Sequence, residues 1–409
     1  MQAKRYLIAM VACLSLVVGC SDDDDDDDND NPQTGAPVET LPANTTYKPA
    51  FTGQTRIGSV QTTTPIKATI ITSELEKPWG VTSLPDGRLL ITEKAGKLRI
   101  VTTTGEISDA LLGVPSVNAE GQGGLLGLCI DPQFNTNRMV YWAFSESSEG
   151  GTHTAVAKGR LSNDEKSIEN ATVIYRAAPS YNGDLHYGGR VIFDGSGNLF
   201  VSTGERSDLA TRPLAQATNA ALGKIIRITT DGEPAAGNPD FPGDALPELY
   251  SIGHRNPQGI ARHPETGDLW QSEHGPRGGD EINRVVAGTN YGWPTITYGI
   301  EYTGATIGDG IQQKDGLAQP VYYWDPVISP SGITFYDGDR VPEWEDNLFI
   351  GALSGKHIAR LVINDDNKVV GEERLLADQN QRFRDITQGP DDALYAVTDE
   401  GRLYKIDRE

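Results

Sequence analysis

Six returns of one strand–turn–strand phrase, 46 glycines with 24 prolines, and almost no helical periodicity predict an all-β fold, a six-bladed β-propeller. The phrase sets a turn between two apolar runs. Its first three copies are Leu84-Pro85-Asp86-Gly87 leading into 88–91, Asp131-Pro132-Gln133-Phe134 into 139–142, and Asp194-Gly195-Ser196-Gly197-Asn198 into 199–201. It returns at 263–270, more loosely from 335–338 to 347–350, and at 389–397. Six copies over residues 65–409 make about 57 residues per unit, room for four short strands and an insertion. A closed ring of such sheets leaves no long exposed edge.

Along the chain, the first element is an export signal. Lys4 and Arg5 precede an apolar stretch over 6–18 that is too short for a stable membrane span. The stretch closes on Val17-Val18-Gly19-Cys20, which resembles the bacterial lipoprotein cleavage box. On that resemblance residues 1–20 are a lipoprotein-type signal peptide and Cys20 is the lipid-bearing first mature residue. Ser21 then implies the outer membrane, facing the periplasm, with the cell surface as the other orientation. An ordinary signal in which Cys20 is incidental is the alternative. Residues 21–64 read as a disordered acidic tether, because the Asp22–Asp28 block, with Asn29 and Asp30 behind it, repels itself and cannot collapse.

The propeller is expected over 65–409. Leu214 to Leu222 is the one stretch read there as a short helix, and no apolar run is long enough to cross a membrane. With Cys13 in the signal and Cys20 at the anchor, Cys129 stands alone, so the folded part has no internal disulfide. It sits in an apolar run over 125–130 and reads as a small core residue. A formal charge of −22 excludes a phosphate backbone as partner, and with it nucleic acid.

Signatures of several chemistries are missing: no C-x-x-C, no G-x-S-x-G, and no phosphate loop of the G-x-x-x-x-G-K-[ST] type. Residues 121–127 miss the third-glycine spacing of a dinucleotide loop. Residues 194–205 span twelve positions like a calcium loop, yet Leu199 stands where that loop needs glycine.

What remains is a set of polar loops beside expected strands. Gly253-His254-Arg255-Asn256-Pro257-Gln258-Gly259 and Glu273-His274-Gly275-Pro276-Arg277-Gly278-Gly279-Asp280-Glu281-Ile282-Asn283 are too rich in glycine and proline for regular structure. Loops this dense in ionisable groups line sites. His186 precedes Gly188-Gly189-Arg190 at the entrance of the strand 191–193. Arg382 and Arg384 alternate, so a strand would turn both to one side, which suits an anionic ligand such as a polycarboxylate. A structural histidine and a pair of surface ion pairs are the plain readings of the same residues.

These motifs, in order over 65–409, resemble the soluble glucose/sorbosone dehydrogenases, the pyrroloquinoline quinone (PQQ)-dependent aldose sugar dehydrogenases. The resemblance is carried by 77–80 with 84–87, 121–127, 186–190, 253–259, 273–283, Asn290-Tyr291-Gly292-Trp293-Pro294, Ser329-Pro330-Ser331-Gly332 and 382–385. It implies a six-bladed propeller that oxidises aldose sugars to lactones with PQQ and Ca²⁺ and hands electrons to an external acceptor. It implies His186 as general base, Arg255 as stabiliser of charge on the reduced quinone, and Glu205 as the group orienting His186, where the family has aspartate. Gln122, Arg255, Asn256, His274, Asp280, Arg382 and Arg384 fall at cofactor or sugar positions, with Asp280 alternatively orienting a site group. The carbonyls of Gly275 and Pro276 fall at the Ca²⁺ position. A cofactor lysine expected after Ala352-Leu353 is Ser354, and Lys356 is its candidate substitute; Val327 stands for a threonine. A propeller sugar lactonase, or a non-catalytic surface module, are the readings from other classes.

Overall fold

The computed structural model describes residues 35–409, so the expected signal peptide with Cys20, and the aspartate run, lie outside the described residues. Six antiparallel sheets follow one another along the chain as six blades. Their innermost strands are Pro78–Ser83, Leu125–Ile130, Val191–Phe193, Pro257–Arg262, Pro330–Phe335 and Phe383–Gln388. The second strands are Leu89–Glu93, Met139–Ser148, Leu199–Thr203, Leu269–Glu273, Leu348–Ala352 and Leu394–Thr398. Every copy of the sequence phrase is the turn between these two strands of one blade. Blade 1 has three strands and the others four. Blade 6 takes its outer strand, Ile66–Thr72, from the other end of the propeller and pairs it with Leu403–Arg408, which closes the ring.

The ring is held by packing between blades. Each of the six junctions has its own apolar cluster: Leu90 and Leu98 with Trp142 and Phe144 at blades 1–2, for example, and Val81 and Ile91 with Tyr395 and Val397 at blades 6–1. The remaining four junctions are filled in the same way. Second strands such as Leu89–Glu93 and Leu394–Thr398 are buried throughout because a neighbour covers each face. They therefore read as continuous apolar runs, not as alternating ones. At the axis the inner strands crowd. A Cβ on Gly127 would meet the Gly189 carbonyl at 2.7 Å, and one on Gly332 would strike Asp385.

Two expectations need correction. The tether was expected to reach residue 64, but its C-terminal part, within 35–64, is strapped to blades 4 and 5. Asp325 accepts hydrogen bonds from the backbone and side chains of both Asn44 and Thr45, and Glu343 and Glu373 accept from 62–64. The helix over 214–222 is a single 3-10 turn, Arg212–Ala215. The buried Lys224 ammonium donates to the carbonyls of Leu214, Ala215 and Leu222, taking acceptors that a helix would use. Cys129 is a free cysteine on the inner strand of blade 2 whose thiol burial pushes far above its ordinary value. Among the described residues no helix is long and apolar enough to cross a membrane.

Candidate active site

The inner strands all start at one end of the ring, and there a cavity of about 490 Å³ opens. It gathers Gln122, His186, Arg255, His274, Arg382 and Arg384 from blades 2, 3, 4 and 6 and the loops that enter them. These residues sit hundreds of positions apart at most, and closure of the ring is what brings them together.

His186 occupies the turn before the third inner strand with φ 45°, a left-handed backbone uncommon for residues other than glycine. Gln122 fixes it by accepting a hydrogen bond from its backbone N–H at 2.9 Å. Glycines at 188 and 189 let the chain turn away: a Cβ on Gly188 would meet the Ser202 carbonyl at 2.8 Å. His186 Nδ1 lies 2.6 Å from Glu205 Oε1. Burial lowers the imidazole pKa well below its usual value, and the Arg255, Arg206 and Arg212 charges add to that. Burial pushes Glu205 up to about 7, against the pull of Arg255. A carboxylate at Nδ1 fixes the tautomer that leaves Nε2 as a free base toward the cavity.

Arg255 is held on two sides. Its backbone N–H donates to Glu273 at 2.6 Å, and its Nη1 donates to the carbonyls of His274 and Gly275 at 3.0 and 2.7 Å. Its guanidinium carbon lies 5.2 Å from the Trp293 ring centre. Arg382 and Arg384 share the Asp399 carboxylate, each at 2.8 Å, and Arg384 also donates to Gln258. Both arginines do face one side. Asn256 lies just beneath, accepting from the Gly188 N–H. Around the cavity Arg255 Nε, Asn256 Nδ2, His274 Nε2 and Glu205 Oε2 are buried without a partner. Such atoms are rare in a closed core and mark a place where a polar ligand completes the hydrogen bonding.

Two of the expected cofactor residues are elsewhere. Asp280 faces away from the cavity: its two oxygens accept the N–H groups of Gly275, Ile328 and Ser329, so it orients two loops at the rim. Burial pushes it up to about 7 despite those donors. Lys356 does not line the cavity and donates to Asn380 instead, as a two-residue displacement along the turn would dictate. Ser354, at the expected lysine position, faces Ser329 Oγ at 2.8 Å. Conversely, Lys94, Tyr302 and Asp399 line the site without having been singled out by sequence reasoning, and Lys77, known there only as part of the 77–80 motif, lines it too. Strand parity within the phrase would have found Lys94 and Asp399, because each is the first residue past a second strand, as His274 is.

Gly275 and Pro276 form a turn that only glycine permits, since a Cβ at 275 would meet the Gly279 carbonyl at 2.2 Å. The Gly275 carbonyl keeps one lone pair beside its bond to Arg255. Hard carbonyl oxygens of this kind are suited to Ca²⁺.

The chain matches the profile of the glucose/sorbosone dehydrogenase family over residues 75–405. It is 41% identical to the aldose sugar dehydrogenase YliI of Escherichia coli over 347 residues, 83% of this chain and 92% of that protein. A glucose dehydrogenase crystal structure superposes with TM-score 0.80 at 44% identity, over 84% of this chain and 99% of the other. The PQQ-bound aldose sugar dehydrogenase of Streptomyces coelicolor gives TM-score 0.69 at 28% identity, over 85% and 99% of the two chains.

Proposed function

Because the chain belongs to the glucose/sorbosone dehydrogenase family, oxidoreductases acting on sugar CH–OH groups, we propose that it oxidises an aldose to its lactone with PQQ and Ca²⁺. One observation carries this reading: His186 and Glu205 form a buried, hydrogen-bonded pair whose free nitrogen opens on a cavity lined by arginines.

His186 Nε2 takes the proton from the anomeric hydroxyl, a step for which a positioned base contributes about 10²–10⁴-fold. Glu205 holds the tautomer and steadies the imidazolium once it forms. PQQ, bound beside His186 and the arginines, would supply the two-electron acceptor for the hydride leaving the sugar C1. Arg255, fixed by Glu273 and the 274–275 carbonyls before any substrate arrives, presents preorganised positive charge where negative charge grows. Arg382 and Arg384 offer guanidinium forks to carboxylates, with Asp399 as their counter-ion in the absence of ligand. Asn256 and His274 offer their unpartnered nitrogens to the same ligand. The carbonyls of Gly275 and Pro276 would hold Ca²⁺, which supplies Lewis-acid polarisation. The lipoprotein-type start at Cys20 fits an enzyme exported and anchored at the outer membrane.

A hydrolase of the lactonase kind would need side-chain carboxylates converging on a metal, and among the described residues no group of three or more His, Cys, Asp or Glu does so. The test is an absorbance titration of the purified chain with PQQ and Ca²⁺, followed by dye reduction over an aldose panel. Saturable binding with sugar-dependent reduction is expected. Saturable binding without it, or lactone hydrolysis in the absence of PQQ, would overturn the assignment.

A further inference from the structure

Four of the six blades present the equivalent position to the cavity, and blade 1 presents there a charge that nothing so far employs. The residue just past the second strand is His274 in blade 4, Leu353 in blade 5, Asp399 in blade 6 and Lys94 in blade 1; all four line the cavity. Blade 5 therefore offers an apolar side chain at this level, followed by Ser354, and no cation. Lys94 is paired across the strand ends with Lys77, whose carbonyl accepts its N–H at 3.0 Å, and Lys77 also lines the cavity.

Neither lysine has a salt-bridge partner among the described residues, whereas Arg382 and Arg384 are both bound to Asp399. Lys94 Nζ donates to the carbonyl of Gly121, next to the Gln122 that holds His186. Five fixed cations (Lys77, Lys94, Arg255, Arg382 and Arg384) thus face one lining carboxylate, Asp399, in a protein whose net charge is −22. Excess positive charge focused in a half-enclosed cavity raises the local concentration of anions and favours an anionic ligand there. Burial and the neighbouring Lys77 and Arg384 charges lower the Lys94 pKa, outweighing the opposite pull of Asp399 and Asp184, and a bound anion would relieve the repulsion.

We propose that Lys94, with Lys77 beside it, is a carboxylate anchor on blade 1 that binds an acid group of the ligand on the side of the cavity away from Arg255. The proposal rests on the quinone-dependent reading of the cavity for the choice of PQQ as ligand, but the anchor itself can be probed without it. The acid group belongs either to the cofactor or to an acidic aldose, and the two sources separate experimentally.

The test compares the full chain with Lys94→Gln and Lys94→Arg, each checked for an unchanged melting temperature. PQQ affinity is read by absorbance titration, citrate affinity by calorimetry as a cofactor-free polycarboxylate, and KM is measured for glucose and glucuronate. Lys94→Gln is expected to weaken PQQ and citrate about tenfold, the size of one lost charge-assisted contact, with Lys94→Arg restoring most of it. Unchanged PQQ affinity with KM raised about tenfold for glucuronate but not glucose would assign the anchor to the sugar's acid group. Lysine-dependent citrate binding by a chain that does not bind PQQ would uphold the anchor and overturn the proposed function. If Lys94→Gln leaves PQQ, citrate and the glucuronate-to-glucose KM ratio unchanged, the anchor is refuted.

Discussion

Blades 3 and 4 contain the same histidine–glutamate construction, and they put it to opposite uses. In each, a histidine before the inner strand meets a glutamate nineteen positions later, at the end of the second strand in blade 4 and two residues past it in blade 3: His186 with Glu205 at 2.6 Å, His254 with Glu273 at 3.1 Å. The blade 4 pair is saturated. His254 Nε2 meets Ser251 Oγ, its ring stacks on Tyr291 at 4.8 Å, and Glu273 accepts from Gln271, Asn283 and the Arg255 backbone. Burial would raise the Glu273 pKa, but the His254 charge and these donors bring it below the ordinary value. The blade 3 pair is unfinished: Glu205 Oε2 has no partner, its pKa is pushed up to about 7, and the imidazole opens on a cavity. Spacing alone does not assign chemistry; the completeness of the hydrogen bonding does.

The sharpest way to break this comparison is to delete each ring. His186→Ala should cost about 10³-fold or more in kcat for PQQ-dependent dye reduction while leaving the melting temperature within about 2 °C. His254→Ala should do the reverse, destabilising the fold by about 3 kcal/mol in denaturant unfolding and lowering kcat less than about tenfold. Equal effects on activity would erase the distinction between the two blades.

Loops that only position the open site should show intermediate effects. Asp280→Asn turns one acceptor into a donor facing backbone N–H groups, so stability should fall by about 2–3 kcal/mol and PQQ affinity with it. Asp325→Ala releases Asn44 and Thr45; the account expects about 2 kcal/mol of stability lost and limited proteolysis to begin within 35–64.

The sequence made the ring legible because its repeat is local: each phrase lies within one hairpin, and six hairpins imply six blades. The open histidine was legible too, since Gly188 and Gly189 advertise the turn that carries it. The strap on blades 4 and 5 was not, because its anchors are polar contacts to Asp325, some 280 positions away in sequence, and composition records no such contact. The resemblance left Asp280 open between touching the ligand and orienting a site group, and Lys356 as a candidate for the missing cofactor lysine; side-chain direction turns Asp280 to neighbouring backbone and Lys356 to Asn380. Lys94 and Asp399 reach the cavity through blade symmetry, which appears only when the six units are superposed strand by strand.

That Glu205 keeps His186 in its basic form is tested most directly by the pH dependence of kcat for the PQQ-loaded chain and for Glu205→Gln. Below about pH 7 a protonated Glu205 becomes an O–H donor to Nδ1, the ring proton moves to Nε2, and the base is lost. In the native chain kcat should rise with pH through about 7, and in Glu205→Gln it should be about 10²-fold lower and lack that limb. An unaltered limb near pH 7 in the variant would contradict it.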